Sequence, residues 1–563
     1  MTDSGAHPAA IVGEGKVTIV SRVAGRLLRL PRPITATVRV ERGLAVTMPD
    51  GVALLTDHWA PTVPGRDGGD DRPTILIRTP YGRKSQQLFA RLLAECGFHV
   101  VVQSCRGTFG SEGLWEPFRH EAVDGHATLD WILEQSWCNG PIMTLGGSYV
   151  GLTQWAVAAD PPPELRAMAL SITAANVRDS FVYPGGAFGL ESALTWLHQL
   201  EHQERGTLRA LWNMARAHHA LKPAYTALPL TDTDRLAVGR TVAFYQDWLA
   251  HDRAGDHWWD VVDFTHDLSR VPPATMLTGW YDMFLPAQLD DFIALRAAGR
   301  DVRVTIGPWT HTSPAIMGAH LRDALDWYRE VLSDTRTRRP RVRLFVMGEK
   351  RWLDLPDWPP PADVQHWHLC GDGTLSIEGP TVPRPRTYSY DPANPSPAIG
   401  GAALNPRTSG PRNQRARDTR PDVLTYTSAS LARDLTVIGP LSAVLHLKSD
   451  TEHFDVFVRL CDVAPNGRST NLSDGFLRVR PENSVRGADG VLHVRLSMSP
   501  TANTFKAGHR LRVQVSGSAH PRFARNPGTG EPLATATTER ASRHEILDDR
   551  DHSSMLELPV TMS

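Results

Sequence analysis

The sequence predicts an α/β domain built on a mostly parallel sheet, interrupted by a helical insertion and followed by an all-β domain. Three observations carry this reading. Continuous apolar runs of strand length alternate with helix-period segments up to about Leu170; two more such runs return after a strand-free stretch; and beyond Trp358 the texture changes to short alternating runs separated by turn residues. Apolar strands separated by helices are what a parallel sheet covered on both faces requires.

Taken in order, the opening residues carry Asp3, Pro8 and Glu14 and no basic stretch leading into an apolar core, so a secretory signal is not expected and a cytoplasmic location is. From Val17 to Leu30, Val20, Val23, Leu27 and Leu28 interleave with Arg22, Arg26 and Arg29. This pattern predicts an amphipathic helix packed on its own protein rather than on a membrane. Strands are expected at Pro73–Arg78, Phe98–Gln103 and Ile142–Leu145, with helices at Gln86–Cys96 and Glu121–Glu134 between them. After a Trp-, His- and Leu-rich insertion with helical periods at Leu190–Gln203, Leu208–Leu221 and Asp234–His251, strands resume at Ala274–Thr278 and Val302–Ile306 around a helix at Pro286–Ala298. Past Pro359–Pro361, the runs Ser442–Leu447, Phe454–Cys461, Val491–Met498 and Arg510–Ser516 read as a β-sandwich or jelly roll, with Pro380–Thr419 a long surface connection. The domains are therefore expected at 1–175 and 265–360 for the α/β part, 176–264 for the helical cap, and 361–563 for the β-domain.

Charge and composition narrow the function classes. Sixty Lys and Arg against 61 Asp and Glu leave a net charge of −1, without the excess of cations that a nucleic-acid partner demands. No apolar run reaches the ~18 residues of a membrane span. The five cysteines, Cys96, Cys105, Cys138, Cys370 and Cys461, are scattered and form no Cys-x-x-Cys pair, so neither a disulfide framework nor a zinc site is expected. His366 with His368, and His218 with His219, lack a third ligand nearby and are assigned to strand or surface. No metal and no cofactor is expected.

The chemistry-bearing constellation begins where the strand Ile142–Leu145 runs into Gly146-Gly147-Ser148-Tyr149-Val150-Gly151 and then into an apolar helix. A serine at a glycine-flanked strand-to-helix turn is a nucleophile elbow, in which small neighbours permit a strained backbone that thrusts the hydroxyl out of the sheet. The match to Gly-x-Ser-x-Gly is imperfect, because Val150 stands at the second glycine. A nucleophilic serine needs a histidine base oriented by a carboxylate, in the chain order Ser, Asp, His for this type of sheet. The strand Ala274–Thr278 leads to Gly279-Trp280-Tyr281-Asp282, and Val302–Ile306 leads to Gly307-Pro308-Trp309-Thr310-His311, so Asp282 and His311 stand just beyond the carboxyl ends of their strands.

In these residues and several further motifs, the chain resembles the CocE/NonD family of serine hydrolases, the cocaine-esterase and X-Pro dipeptidyl-peptidase-like enzymes. The resemblance rests on Arg78-Thr79-Pro80-Tyr81-Gly82-Arg83, Cys105-Arg106-Gly107 with Gly110-Ser111-Glu112-Gly113, Trp137-Cys138-Asn139-Gly140, Gly146 to Gly151, Pro184-Gly185-Gly186-Ala187, Gly279 to Asp282 and Gly307 to His311. Arg343 to Gly348, Trp358-Pro359, Tyr390-Asp391-Pro392, Asp474-Gly475 and Phe505 to Arg510 extend it through the β-domain. It implies an α/β-hydrolase domain with an inserted helical cap and a C-terminal jelly roll. It also implies an oxyanion hole formed by the Tyr81 hydroxyl and the Tyr149 amide, and acyl-pocket aromatics at Phe181 and Trp196. Trp280 and Trp309 are further candidates for the pocket. Ser104 departs from the family, which commonly carries an aspartate there, and this puts a supporting contact in question.

The expected activity is metal-free hydrolysis of carboxylic esters through an acyl-enzyme. Ser148 would attack, His311 shuttle the proton and Asp282 orient the imidazole. The alternative is an X-Pro dipeptidyl-peptidase or other amide hydrolase with the same triad. That specificity needs carboxylates to hold a free amino terminus, for which Glu191, Glu201 and Glu204 are candidates, although they read as a solvated helix face. The expected partner is a small-molecule ester or amide, with no nucleic acid and no membrane; a homodimer is left open. A silent carbohydrate-binding protein is the rival from another class, and the candidate triad argues against it.

Overall fold

Two eleven-stranded sheets organise the chain, of which the computed structural model describes residues 11–561 apart from 17, 36, 63–71, 204–218 and 335–338. The first sheet contains β1 (Ile11–Lys16), β2 (Thr37–Thr47), β3 (Ala53–Thr62), β4 (Thr74–Thr79), β5 (His99–Ser104), β6 (Ile142–Gly147), β7 (Leu165–Ser171), β8 (Ala274–Tyr281), β9 (Val302–Thr310), β10 (Val342–Val346) and β11 (Arg351–Leu355). Its spatial order is β1-β2-β3-β5-β4-β6-β7-β8-β9-β10-β11. From β5 to β10 every pairing is parallel. The edges, β1-β2-β3 against β5 and β11 against β10, are antiparallel. Every residue of β4, β5 and β8 is buried, which is why these strands read as unbroken apolar runs. β2, next to one edge, and β11, at the other, keep exposed polar positions, so their runs carry no such signal.

Helices cover the sheet. These are α1 (Ile19–Leu27), α2 (Gln87–Glu95), α3 (Glu121–Leu133) and α4 (Tyr149–Trp155) before the insertion, and α9 (Leu285–Ala297) and α10 (Pro314–Leu332) after it. Thr18 caps α1 through a reciprocal pair of bonds with Ser21. That helix departs from expectation: it buries Ser21 while Ile19, Val20, Val23 and Leu27 face outward, and Val17 lies outside the described residues. Among the described residues no helix is long and apolar enough to cross a membrane.

Between β7 and β8 the chain forms α5 (Leu190–Gln203), α6 (Lys222–Thr226), α7 (Thr233–Val238) and α8 (Ala243–Ala250). Most of the helix expected at Leu208–Leu221 lies outside the described residues. The one expected at Asp234–His251 is two helices, because Gly239 takes φ 83° and ends α7 in a left-handed cap. The Asp234 carboxylate then accepts hydrogen bonds from Val242 N and Gln246 Nε2 (both 2.8 Å) and restarts the helix.

After Leu355 the second sheet begins with Asp363–Leu369 and ends with Met555–Val560; its longest pair, Leu435–Ser449 with Leu492–Phe505, is antiparallel. The expected surface connection at Pro380–Thr419 is exposed over much of its length, including 381–385 and 411–413, but parts of it enter the core. Ser396, Ala402 to Asn405, Gln414 and Arg417 are buried, and Arg417 lies over Phe457 while donating to Gln514 Oε1 and Ser518 O. One buried apolar cluster joins Tyr149 and Leu152 of the first sheet's elbow helix, Phe181, Trp196 and Trp248 of the insertion, and Leu404 of the β-domain. All three parts of the chain thus meet over the serine turn.

Candidate active site

Ser148 sits at the junction of β6 and α4 with φ 56° and ψ −127°, a left-handed conformation that a serine holds only when its surroundings impose it. They do so from the end of β7 and the residues after it: the Ser148 amide donates to Ser171 O and the Thr173 hydroxyl donates to Ser148 O, each at 2.9 Å. Gly147 must be glycine, since a Cβ there would overlap the Ser171 hydroxyl. The turn therefore exposes Oγ above the carboxyl edge of the sheet.

Two later strand ends bring their side chains to it. His311, one residue past β9, places Nε2 3.1 Å from Ser148 Oγ and Nδ1 2.8 Å from Asp282 Oδ2. Asp282, one residue past β8, is buried, and its other oxygen accepts the Phe284 amide at 2.8 Å. Each carboxylate oxygen thus has a partner, which fixes the plane of the carboxyl and, through it, that of the imidazole.

Tyr81 follows β4 in a turn where its amide donates to Thr79 Oγ1 at 3.1 Å. Trp196 Nε1 donates to the Tyr81 hydroxyl oxygen at 3.2 Å, leaving the phenolic proton free to point elsewhere. Burial pushes the Tyr81 pKa up to about 12 against opposing hydrogen bonds from Trp196 and Ser148, so the phenol stays protonated as a donor. Tyr149, first residue of α4, turns its own side chain away: its hydroxyl donates to Glu121 Oε1 (2.8 Å) and accepts from Phe118 N (2.9 Å). Glu121 is held in turn by Arg78 at 2.9 Å. This buried network anchors the first turn of α4.

A cavity of about 480 Å³ opens over Ser148, within the size range of small-molecule sites. Phe118, Phe181, Trp196, Phe284 and Leu404 line it, with Thr173, Gln199 and Thr312 as polar points. Phe118 and Trp196 stack at 5.9 Å and 10°, and Phe181 meets Trp196 edge-on at 5.8 Å. Among the described residues its lining contains no Asp, Glu, Lys or Arg.

The family model for X-Pro dipeptidyl-peptidases (S15 family) matches residues 50–313, and that for the X-Pro dipeptidyl-peptidase C-terminal non-catalytic domain matches 334–557. The chain is 31% identical over 580 residues to the cocaine esterase of Rhodococcus sp. (strain MB1 Bresler), covering 92% of this chain and 98% of that one. The chain belongs to the CocE/NonD family of serine hydrolases. Among solved structures, an alpha-amino acid ester hydrolase shares the fold at a TM-score of 0.76 and 22% identity, covering 93% of this chain and 97% of that one. A CocE/NonD family hydrolase from Staphylococcus aureus does so at 0.68 and 17%, covering 94% and 95%.

Against this family background, some expectations need correction. Trp280 is absent from the cavity lining: it is buried in the core beside Trp358 and donates Nε1 to Phe345 O at 2.7 Å. Trp309 is also absent; it packs on Ile172, Leu277 and Ile316 and meets Trp352 at 5.9 Å. Ser104, where the CocE/NonD family commonly carries aspartate, accepts from Arg83 at 2.8 Å, and Asp57 of β3 supplies the carboxylate to Arg83 at 3.0 Å. Glu191 is not solvated: it is 2% exposed, and its carboxylate accepts the amides of Leu404 (3.3 Å) and Asn405 (3.0 Å). Glu201 pairs with Arg240 at 3.1 Å, and Glu204 lies outside the described residues. Sequence reasoning missed Phe118, Phe284 and Leu404. Phe284, two residues past Asp282, was within reach of the strand-end argument; Leu404 carried no signal. Among the described residues no three His, Cys, Asp or Glu side chains gather as a metal site.

Proposed function

We propose that this serine hydrolase is a carboxylesterase acting on esters with an apolar acyl group. The observation that carries the reading is an aromatic cavity, directly over the Ser148–His311–Asp282 relay, whose described lining has no charged side chain. A dipeptidyl-peptidase must hold an ammonium group. The carboxylate best placed in sequence for that task, Glu191, is spent on two backbone amides.

In the reaction, His311 Nε2 takes the Ser148 proton as Oγ attacks the ester carbonyl, and Asp282 holds the resulting imidazolium through Nδ1–H. The carbonyl oxygen, now an anion, receives the Tyr81 hydroxyl and the Tyr149 amide; each such donor contributes on the order of 3 kcal/mol when aimed at developing charge. Collapse passes the proton to the departing alcohol, and water repeats the cycle on the acyl-enzyme.

The test is a panel of p-nitrophenyl esters from acetate to benzoate beside X-Pro p-nitroanilides, with Ser148→Ala as control. The expected result is serine-dependent ester turnover that improves with apolar acyl size, and X-Pro turnover at least a hundredfold weaker. Efficient X-Pro cleavage with weak ester turnover would overturn the assignment.

A further inference from the structure

A second cavity, of about 440 Å³, shares Tyr81, His311, Thr312 and Met317 with the aromatic one and is otherwise lined by different residues. Phe89 of α2, Val150 at the elbow, and Ile316 and His320 of α10 form its apolar sides. Like the first, its described lining contains no Asp, Glu, Lys or Arg. The two cavities therefore meet at the groups proposed to bracket the ester carbonyl.

His320 is the unexplained feature. It is 8% exposed, and neither ring nitrogen has a hydrogen-bond partner among the described residues. Burial lowers its pKa to about 4, so the ring is neutral at pH 7 and offers one donor and one acceptor. Neither nitrogen is accessible from the cavity, so toward a ligand the ring serves as part of the apolar wall.

Reaction geometry says which part of a substrate belongs here. As the carbonyl carbon–oxygen bond to the alcohol breaks, the proton first taken from Ser148 Oγ passes from His311 Nε2 to the ester oxygen, which leaves as the neutral alcohol. That oxygen must lie beside His311, while the carbonyl oxygen faces Tyr81. The residues that follow His311, Thr312 to Pro314, line the second cavity. We propose that this cavity receives the alcohol moiety of the substrate, an apolar ring-sized group packed against Phe89, Val150 and Ile316. The proposal rests on the ester reading above and adds the leaving-group class to it.

The experiment holds the acyl group constant and varies the alcohol: ethyl, phenyl and 2-naphthyl butanoates, with ethyl acetate to ethyl octanoate as the acyl-side control. Wild type is compared with Gln86→Trp, which fills the cavity from a half-buried position. Intrinsic leaving-group reactivity cancels in each variant-to-wild-type ratio, and fluorophosphonate titration of Ser148 normalises for folded enzyme. Gln86→Trp is expected to lower kcat/KM for 2-naphthyl butanoate about tenfold or more while leaving ethyl butanoate within about twofold. Ratios that stay constant across the alcohols, or that follow acyl length instead, would overturn the subsite. Absence of ester turnover by the wild type would instead overturn the ester reading before any variant is compared.

Discussion

Val150 is seated in the space that Gly146 leaves empty: a Cβ on Gly146 would overlap the Val150 side chain and stand 2.7 Å from its carbonyl oxygen. The elbow thus tolerates a β-branched residue at the position where Gly-x-Ser-x-Gly has its second glycine. The motif's own first glycine, Gly146, leaves the room for this side chain, and the serine keeps its left-handed backbone.

This relationship predicts that Gly146→Ala displaces the elbow. The alanine methyl would push Val150 and with it the first turn of α4, so kcat should fall at least tenfold with a lowered Tm. Adding Val150→Gly removes the side-chain overlap but not that with the carbonyl, so the double variant should recover only part of both losses. Additive losses in the two single variants would show that the sites are not coupled.

Ser148→Ala removes the atom proposed to bond the substrate and leaves the turn's backbone contacts in place. Turnover should drop below about a thousandth of wild type, as for loss of a triad nucleophile elsewhere, with the melting curve nearly unchanged. A faster residual rate at full site occupancy would assign the chemistry to another group.

The parts of this site that were legible in the sequence are local. A glycine-flanked serine between a strand and a helix, and polar residues just past two apolar strands, are short-range patterns, and β6, β8 and β9 present Ser148, Asp282 and His311 at one edge. The rest depends on tertiary direction. Trp280 stands two residues from Asp282, yet its ring enters the core, where Phe345 O takes its N–H. Leu404 reaches the cavity from a segment whose Pro, Gly and Arg content reads as surface. Glu191 holds that segment through amides more than two hundred positions away, a contact no helical period announces.

Asp291 on α9 is expected to make stability depend on pH. Burial, with Asp290 and Asp263 adding like charge, raises its pKa to about 8, although the Ala175 amide at 2.9 Å favours the charged form. In the unfolded chain the group titrates near the ordinary aspartate value of about 4. Between these values the unfolded state has released a proton that the folded state retains, so this group's contribution to stability falls as pH rises from about 4 to about 8. Asp291→Asn can still accept from Ala175 N and should flatten this segment of a Tm-against-pH curve. An unchanged slope would place the pH dependence in another group.

The last prediction separates two neighbours that share a hydrogen bond. If the Tyr81 hydroxyl donates to the oxyanion, its contribution grows only as charge develops, so Tyr81→Phe should lower kcat by roughly 10²–10³ and change KM little. The Tyr149 amide remains in that variant, so complete inactivation is not expected. Trp196→Phe keeps an aromatic ring in the cavity but removes the N–H that holds the Tyr81 oxygen at 3.2 Å. Its effect should be smaller in kcat, about tenfold, because the tyrosine loses orientation rather than its donor. It should also raise KM, since Trp196 forms part of the cavity wall. In the double variant the kcat loss should match that of Tyr81→Phe alone, because the tryptophan bond then has nothing to orient. Steady-state rates on one good ester, with a melting curve for each variant, decide the matter. A stability loss for Tyr81→Phe with near-normal kcat would make this tyrosine a structural residue of the turn.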